Sequence, residues 1–264
     1  MDLLQLSEYM SVSITLIILT VASVCDIRTR EVPDKVWLIY GPIGLALTIY
    51  RTYVDPSLLL FTAVSIGLST LLAFGLVLFG ISGGADAKGL ICLSLTLPLP
   101  PTILSPLLGY VFPFFPIVVL VTGYFCTLSV VVWILAKNMV QLTRLRSGIF
   151  KGLESEPEWK KALAFITGFP TSVRQLQSTF YLFPMEKVVE DQNGARRTFQ
   201  LYSNADVDRE PLLTEFISSM RKVGSPDNVW VSPGLPLLVF ILIAVVIVLA
   251  LGDPVFGGIL QLLR

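Results

Sequence analysis

The chain has 264 residues, no histidine, and a net charge of zero from 19 Lys+Arg and 19 Asp+Glu. It is 54% hydrophobic and 14% charged, with mean hydropathy +0.76, whereas a soluble domain carries about 25% charged residues. The balance leaves no excess positive charge for a nucleic acid, and the lack of histidine excludes Ser-His and Cys-His catalysis, HExxH zinc sites and histidine-ligated haem.

Such low charge over a whole chain indicates a polytopic membrane protein. In chain order, charge-free windows run from Tyr9 to Cys25, Val36 to Tyr50, Pro56 to Ala85, Gly89 to Ala136 and Asn228 to Gly252. A membrane helix needs about 20 apolar residues. The fourth window is far longer and is broken by Pro98, Pro100, Pro101, Pro106, Pro113 and Pro116, so it divides into two spans, giving six. Gly41-Pro42 and the proline cluster interrupt spans two and four. The first segment lacks a basic n-region and a small-residue cleavage site, and is read as a retained helix.

Lys and Arg set the orientation. Arg28, Arg30 and Lys35 lie between spans one and two, Lys88 between three and four, and Lys137, Arg144, Arg146 and Lys151 after span five. Only Arg51 and Arg264 fall on the other side. Both termini are expected outside the cell membrane, with the first, third and fifth connections cytoplasmic.

Residues Thr143 to Val229 mix charge with short apolar runs and read as a soluble domain. Glu158 to Ile166 suits a helix. Lys187 to Gln192, Asn193-Gly194 and Ala195 to Tyr202 read as a β-hairpin, because Asn-Gly suits a type I′ turn. Its charges nearly balance, which gives no basic face for a membrane or RNA. The expected fold is an α-helical polytopic membrane protein: six transmembrane helices with a small α+β cytoplasmic domain before the last. The divisions are 1–142, carrying helices one to five, 143–229, the soluble domain, and 230–264, the sixth helix.

Cys25, Cys92 and Cys126 are scattered through apolar segments without a CxxC pair, so they read as small core residues, and neither a metal nor a cofactor is implied. Gly80-Ile-Ser-Gly83 has the G-x-S-G form of membrane serine proteases, whose histidine partner is missing; a Ser82–Lys88 dyad is the remaining serine option. Asp253 after the last apolar run reads as a helix-end charge.

Carboxylates remain. Asp86 follows thirty uncharged residues, in Gly83-Gly84-Ala85-Asp86, and suits a helix N-terminus, where the dipole favours an anion. Asp26 ends span one beside Arg28, as an interface charge does. Spans two and three return the chain to the same face, so the two aspartates lie at similar depth on separate helices and can form a dyad. Close carboxylates in a low dielectric share a proton. Such a pair can activate water against a peptide carbonyl and protonate the leaving amine, which needs no histidine, cysteine or metal. A proton-coupled transporter using both aspartates as a relay, or a non-catalytic assembly scaffold, fits the same residues.

Asp26-Ile-Arg-Thr-Arg-Glu-Val-Pro-Asp34-Lys-Val-Trp37, Gly83-Gly-Ala-Asp-Ala-Lys88, Phe115-Pro-Ile-Val-Val and Val229-Trp-Val-Ser-Pro-Gly-Leu-Pro-Leu-Leu-Val239 occur in order. Together they resemble the archaeal type IV prepilin and preflagellin (prearchaellin) peptidases, membrane aspartic peptidases of the G-x-G-D class. The resemblance implies Asp26 and Asp86 as the catalytic pair and Gly83, Gly84, Ala85 and Lys88 as the supporting motif. It also implies removal of the short basic leader of prearchaellin or prepilin-like substrate proteins at the cytoplasmic face. Ala85 departs from the motif's glycine: a position needing φ > 0 would strain alanine by about 1 kcal/mol or more, while one needing only a small side chain accepts it. Glu31 and Asp34, just after Asp26, are candidate contacts for the basic leader.

Overall fold

The structure is a computed structural model that describes residues 2–109, 112–144, 148–191, 194–201, 209–224 and 228–262. The first part of the chain forms helices α1 (Leu3–Thr29), α2 (Asp34–Val54), α3 (Leu59–Leu78), α4 (Gly84–Thr96) and α5 (Phe115–Arg144). There follow α6 (Glu158–Thr167), β1 (Phe169–Ser172), α7 (Val173–Ser178), β2 (Leu182–Pro184), β3 (Glu186–Asp191), β4 (Gly194–Phe199), α8 (Arg209–Met220) and β5 (Asn228–Pro233). Helices α9 (Leu237–Leu251) and α10 (Pro254–Leu262) close the chain. Two compact units result: residues 1–127 with 236–264, and Leu128–Leu235.

A helix lies in each of the six expected spans, but only some are long and apolar enough to cross a membrane. Among the described residues, three stretches are long and apolar enough to cross a membrane: Leu3–Thr29, Pro56–Leu78 and Phe115–Thr143. Helix α4 has 13 residues and α9 has 15, or about 20 and 22 Å of rise against about 30 Å of hydrocarbon. Helix α2 runs unbroken for 21 residues with Pro42 inside it, but holds Asp34, Lys35 and Arg51. The third span stops at Leu78, short of the expected Ala85, because the chain turns at Gly80, whose φ is +65°.

The first unit packs Leu19 and Ala22 of α1, Trp37 and Tyr40 of α2, Cys92 and Leu93 of α4, and Leu238, Ile241 and Val245 of α9 into one buried cluster. Close approach matters more than bulk, since lipid offers helices no hydrophobic drive to associate. At Gly44 an added Cβ would lie 1.9 Å from Thr96 Oγ1 and 3.0 Å from Thr96 Cα, so only glycine lets α2 reach α4 there. The Tyr40 hydroxyl donates to Thr15 Oγ1 at 2.9 Å, joining α2 to α1.

Beyond α4 the prolines stop helix formation, and the following chain needs other partners for its backbone. Ser65 donates to Pro98 O at 2.6 Å. Buried Glu8, in α1, accepts from Thr102 N at 2.9 Å, Thr102 Oγ1 at 3.0 Å and Ile103 N at 3.1 Å. Buried Arg51 donates to Thr96 O, and to Thr48 Oγ1 at 3.1 Å. Asp253, fully buried, accepts from Val255 N at 3.2 Å and Phe256 N at 2.9 Å, the helix-end role expected of it.

The second unit is strand-containing. An antiparallel sheet has the order β1-β5-β2, with Phe169 opposite Val231 and Leu182 opposite Pro233. Strands β3 and β4 form the expected hairpin, in register from Glu186 opposite Phe199 to Asp191 opposite Gly194. Gly194, expected in the turn with Asn193, instead opens β4 and pairs with Asp191, while Gln192 and Asn193, and also Tyr202, Arg146 and Arg264, lie outside the described residues. Glu186 is buried and accepts from Arg197 Nε and Nη2 at 2.8 Å each, and from Trp230 N at 2.6 Å. Trp230 stacks on Phe150 with ring centroids 4.8 Å apart.

Candidate active site

Asp86 is the third residue of α4, and its Oδ2 accepts the Gly83 N–H at 3.2 Å. The local cause is the run Gly83-Gly84-Ala85: small residues let the first turn form around a carboxylate that complements the helix dipole. Ala85 stands on right-handed helical backbone, and Arg30 is the one described non-glycine residue with positive φ. The backbone therefore does not require glycine at 85, and the alanine methyl packs against the buried cluster.

Asp26 lies in the last turn of α1. The Leu238 backbone N–H, in the first turn of α9, faces its carboxylate. Ser23, one turn earlier on the same face, donates to Leu238 O at 3.1 Å. Arg30 caps α1 in the left-handed region, φ 59°, donates its N–H to Asp26 O at 3.2 Å, and holds a guanidinium nitrogen 4.0 Å from Asp26 Oδ1.

Helix α9 ties the two aspartates together. A small open pocket at Asp86, about 10 Å³ and so room for roughly one water molecule, is lined by Ala73, Leu76, Ser82, Ala87, Leu90, Leu120 and Leu237. Leu237 thus faces the Asp86 cavity while its neighbour Leu238 contacts Asp26 and Ser23. Gly89 holds α4 in place there: an added Cβ would come within 2.9 Å of Leu238 Cδ2 and 3.4 Å of the Trp37 ring.

The other expected site residues fall in two groups. Lys88 pairs with Asp34, Nζ to Oδ1 at 2.6 Å, in an exposed ion pair between α4 and α2. Glu31 is exposed, and its backbone N–H and C=O both engage the Thr29 hydroxyl. The Ser82–Lys88 dyad is not formed: the Ser82 hydroxyl is buried 2.8 Å from the Tyr124 hydroxyl, and Lys88 is on Asp34. Sequence reasoning missed Tyr124, Ser23 and Leu238. The signal for Tyr124 was a lone phenol in the charge-free part of α5, ahead of Lys137; for Ser23 it was the three-residue spacing from Asp26. Among the described residues no three carboxylates or thiols gather as metal ligands would.

Residues 13–135 match the family described as the type IV leader peptidase family, and residues 160–254 match the archaeal peptidase A24 C-terminus, type II. The chain is 26% identical over 245 residues to a preflagellin peptidase of Methanococcus maripaludis, covering 90% of this chain and 93% of the relative. It is 23% identical over 246 residues to a preflagellin peptidase of Methanocaldococcus jannaschii, covering 90% and 92%. A preflagellin peptidase of Methanococcus voltae is 25% identical over 257 residues, covering 95% and 98%. The first match contains Asp26, Asp86 and α4, and the second runs through all of α9 to the start of α10, so the chain is a membrane protein that belongs to the type IV leader peptidase family.

Proposed function

We propose that the protein is a membrane aspartic endopeptidase whose catalytic pair is Asp26 and Asp86. It removes the short basic leader of preflagellin or prepilin-like precursors at the cytoplasmic face. The observation that carries this reading is the convergence of both carboxylates on the first turn of α9, Asp26 at Leu238 and Asp86 at the cavity lined by Leu237.

The chemistry needs one carboxyl ionised and one protonated. The ionised carboxylate takes a proton from water as the water oxygen bonds to the scissile carbonyl carbon. The protonated carboxyl donates to the carbonyl oxygen, and the resulting tetrahedral species collapses with proton transfer to the leaving amine. Gly83, Gly84 and Ala85 leave space for a peptide backbone to approach Asp86. Arg30 holds Asp26 in place. The distribution of Lys and Arg supports six membrane segments with both termini outside, and 143–229 as a cytoplasmic domain.

The test is incubation of the detergent-solubilised protein with a preflagellin, following loss of the leader. Asp26→Asn and Asp86→Asn are each expected to abolish cleavage with folding intact. Full cleavage by either variant ends the pairing. Proton-dependent flux without cleavage would make the aspartates a transport relay.

A further inference from the structure

Helix α6 is amphipathic in the inverted sense. Trp159, Leu163 and Ile166, at helical spacing, are 60%, 44% and 40% exposed. Its lysines turn back on the protein: Lys160 pairs with Glu156 at 2.9 Å, and Lys161 with Glu158 at 2.9 Å and Glu154 O at 3.1 Å. Ala164 is buried beneath them. A helix facing water presents its charges outward, whereas this one turns its lysines in and, past the exposed Glu158 of its first turn, presents a tryptophan and branched aliphatics.

The position of α6 says what covers that stripe. Asn138, inside the apolar stretch Phe115–Thr143, donates to Phe165 O at 2.8 Å and Gly168 O at 2.7 Å. Trp133, five residues earlier on α5, stacks edge-on with Phe169 at 5.7 Å. The Thr167 carbonyl accepts from Ser232 Oγ at 3.0 Å, at the end of β5 from which the chain runs into apolar α9. Phe180 and Tyr181, 45% and 42% exposed, flank the same end, where Tyr181 O accepts from Gly234 N at 2.8 Å. The exposed apolar residues therefore sit where both connections to apolar helices leave the second unit. On α5 itself, within the same unit, Val132 and Trp133 are also exposed. Tryptophan and tyrosine are enriched at that depth of a bilayer.

We propose that α6 is an interfacial helix, with Trp159, Leu163 and Ile166 lying in the headgroup–acyl boundary of the lipid bilayer beside Phe180 and Tyr181. Its partner is the lipid surface, recognised by apolar burial and not by charge, because its lysines are already paired.

The test uses the full chain in nanodiscs of phosphatidylcholine with a minority of phosphatidylglycerol. Nitroxides are placed singly at positions 163, 166 and 187 in a background with Cys25, Cys92 and Cys126 replaced by serine. The ratio of oxygen to aqueous nickel collisions at 163 and 166 is expected to exceed that at exposed Lys187 by at least about threefold, as for a helix buried about 5–10 Å at the interface. Equal ratios would overturn the proposal. So would spin–spin broadening at 163 that disappears on dilution with unlabelled chain, since a second copy would then cover the stripe. A measurement with native cysteines guards against misfolding. The fluorescence lost in Trp159→Phe relative to the parent is expected to be quenched by brominated lipids; if that difference is insensitive to them, α6 is not at the bilayer.

Discussion

Lys88, two residues beyond Asp86, places its ammonium 2.6 Å from the Asp34 carboxylate at the start of α2. The pair occupies one of the two acidic residues that could meet a basic leader. It is exposed on both sides, so it contributes about 0–1 kcal/mol and is readily exchanged for a substrate lysine.

Asp34→Asn and Glu31→Gln are therefore expected to raise KM about two- to tenfold for a leader carrying lysine, with kcat little changed, as lost ground-state binding does. Lys88→Ala releases Asp34 and lowers KM for the same leader. Steady-state cleavage of leaders with and without their lysines checks this. Equal changes on both leaders would show that Glu31 and Asp34 act on the fold and not on the leader's charge.

Arg30 combines a left-handed backbone with an ion pair to Asp26. Arg30→Gly removes a conformational cost of about 1 kcal/mol together with the guanidinium. Thermal stability is expected to hold or rise while kcat falls. If kcat is unchanged, Arg30 only caps α1 and has no hold on the Asp26 carboxylate.

The contact of Gly89 with Leu238 and Trp37 makes Gly89→Val a test of the α9 geometry. The added methyls push the first turn of α9 away from α4, at an overpacking cost of about 1–3 kcal/mol. Cleavage is expected to fall further than Gly44→Ala lowers it at matched loss of stability, because Gly44 packs at Thr96, at the other end of α4. Comparable losses would separate α9 placement from catalysis.

In the second unit, burial works to raise the Glu156 carboxyl. The Thr198 hydroxyl at 2.6 Å and the Lys160 ammonium at 2.9 Å outweigh it and hold the group below its ordinary 4.5. A depressed folded value means stability that is present above the unfolded value and lost as pH falls through the folded one. Glu156→Gln is expected to lower the melting temperature at pH 7, with the gap to the parent closing below pH 4.5. A gap independent of pH would assign the effect to packing.

The sequence carried the strongest local signals. Glu158 to Ile166 and the β3–β4 hairpin were legible because periodicity and turn chemistry act over a few residues. The parity that put Asp26 and Asp86 on one face came from counting spans. What escaped was set by distant contacts. No local pattern says that α4 ends after 13 residues, that Pro42 is absorbed into a continuous α2, or that Lys88 selects Asp34 from 54 residues away. The role of α9 was hidden for the same reason: Leu237 and Leu238 are ordinary leucines in an apolar run, and only their neighbours give them meaning.

The anchoring of Thr102 and Ile103 by Glu8 also bears on the order in which the chain is made. Glu8 emerges 94 residues ahead of its donors, and Arg51 emerges 45 ahead of the Thr96 carbonyl. Until those partners are made, the Glu8 carboxylate has the Arg51 guanidinium to offset its charge, and Arg51 has only Glu8 and the Thr48 hydroxyl. Nascent chains ending before residue 96 are expected to extract with alkali, while chains ending beyond residue 109 resist it; equal extraction would show that the early helices are stable alone.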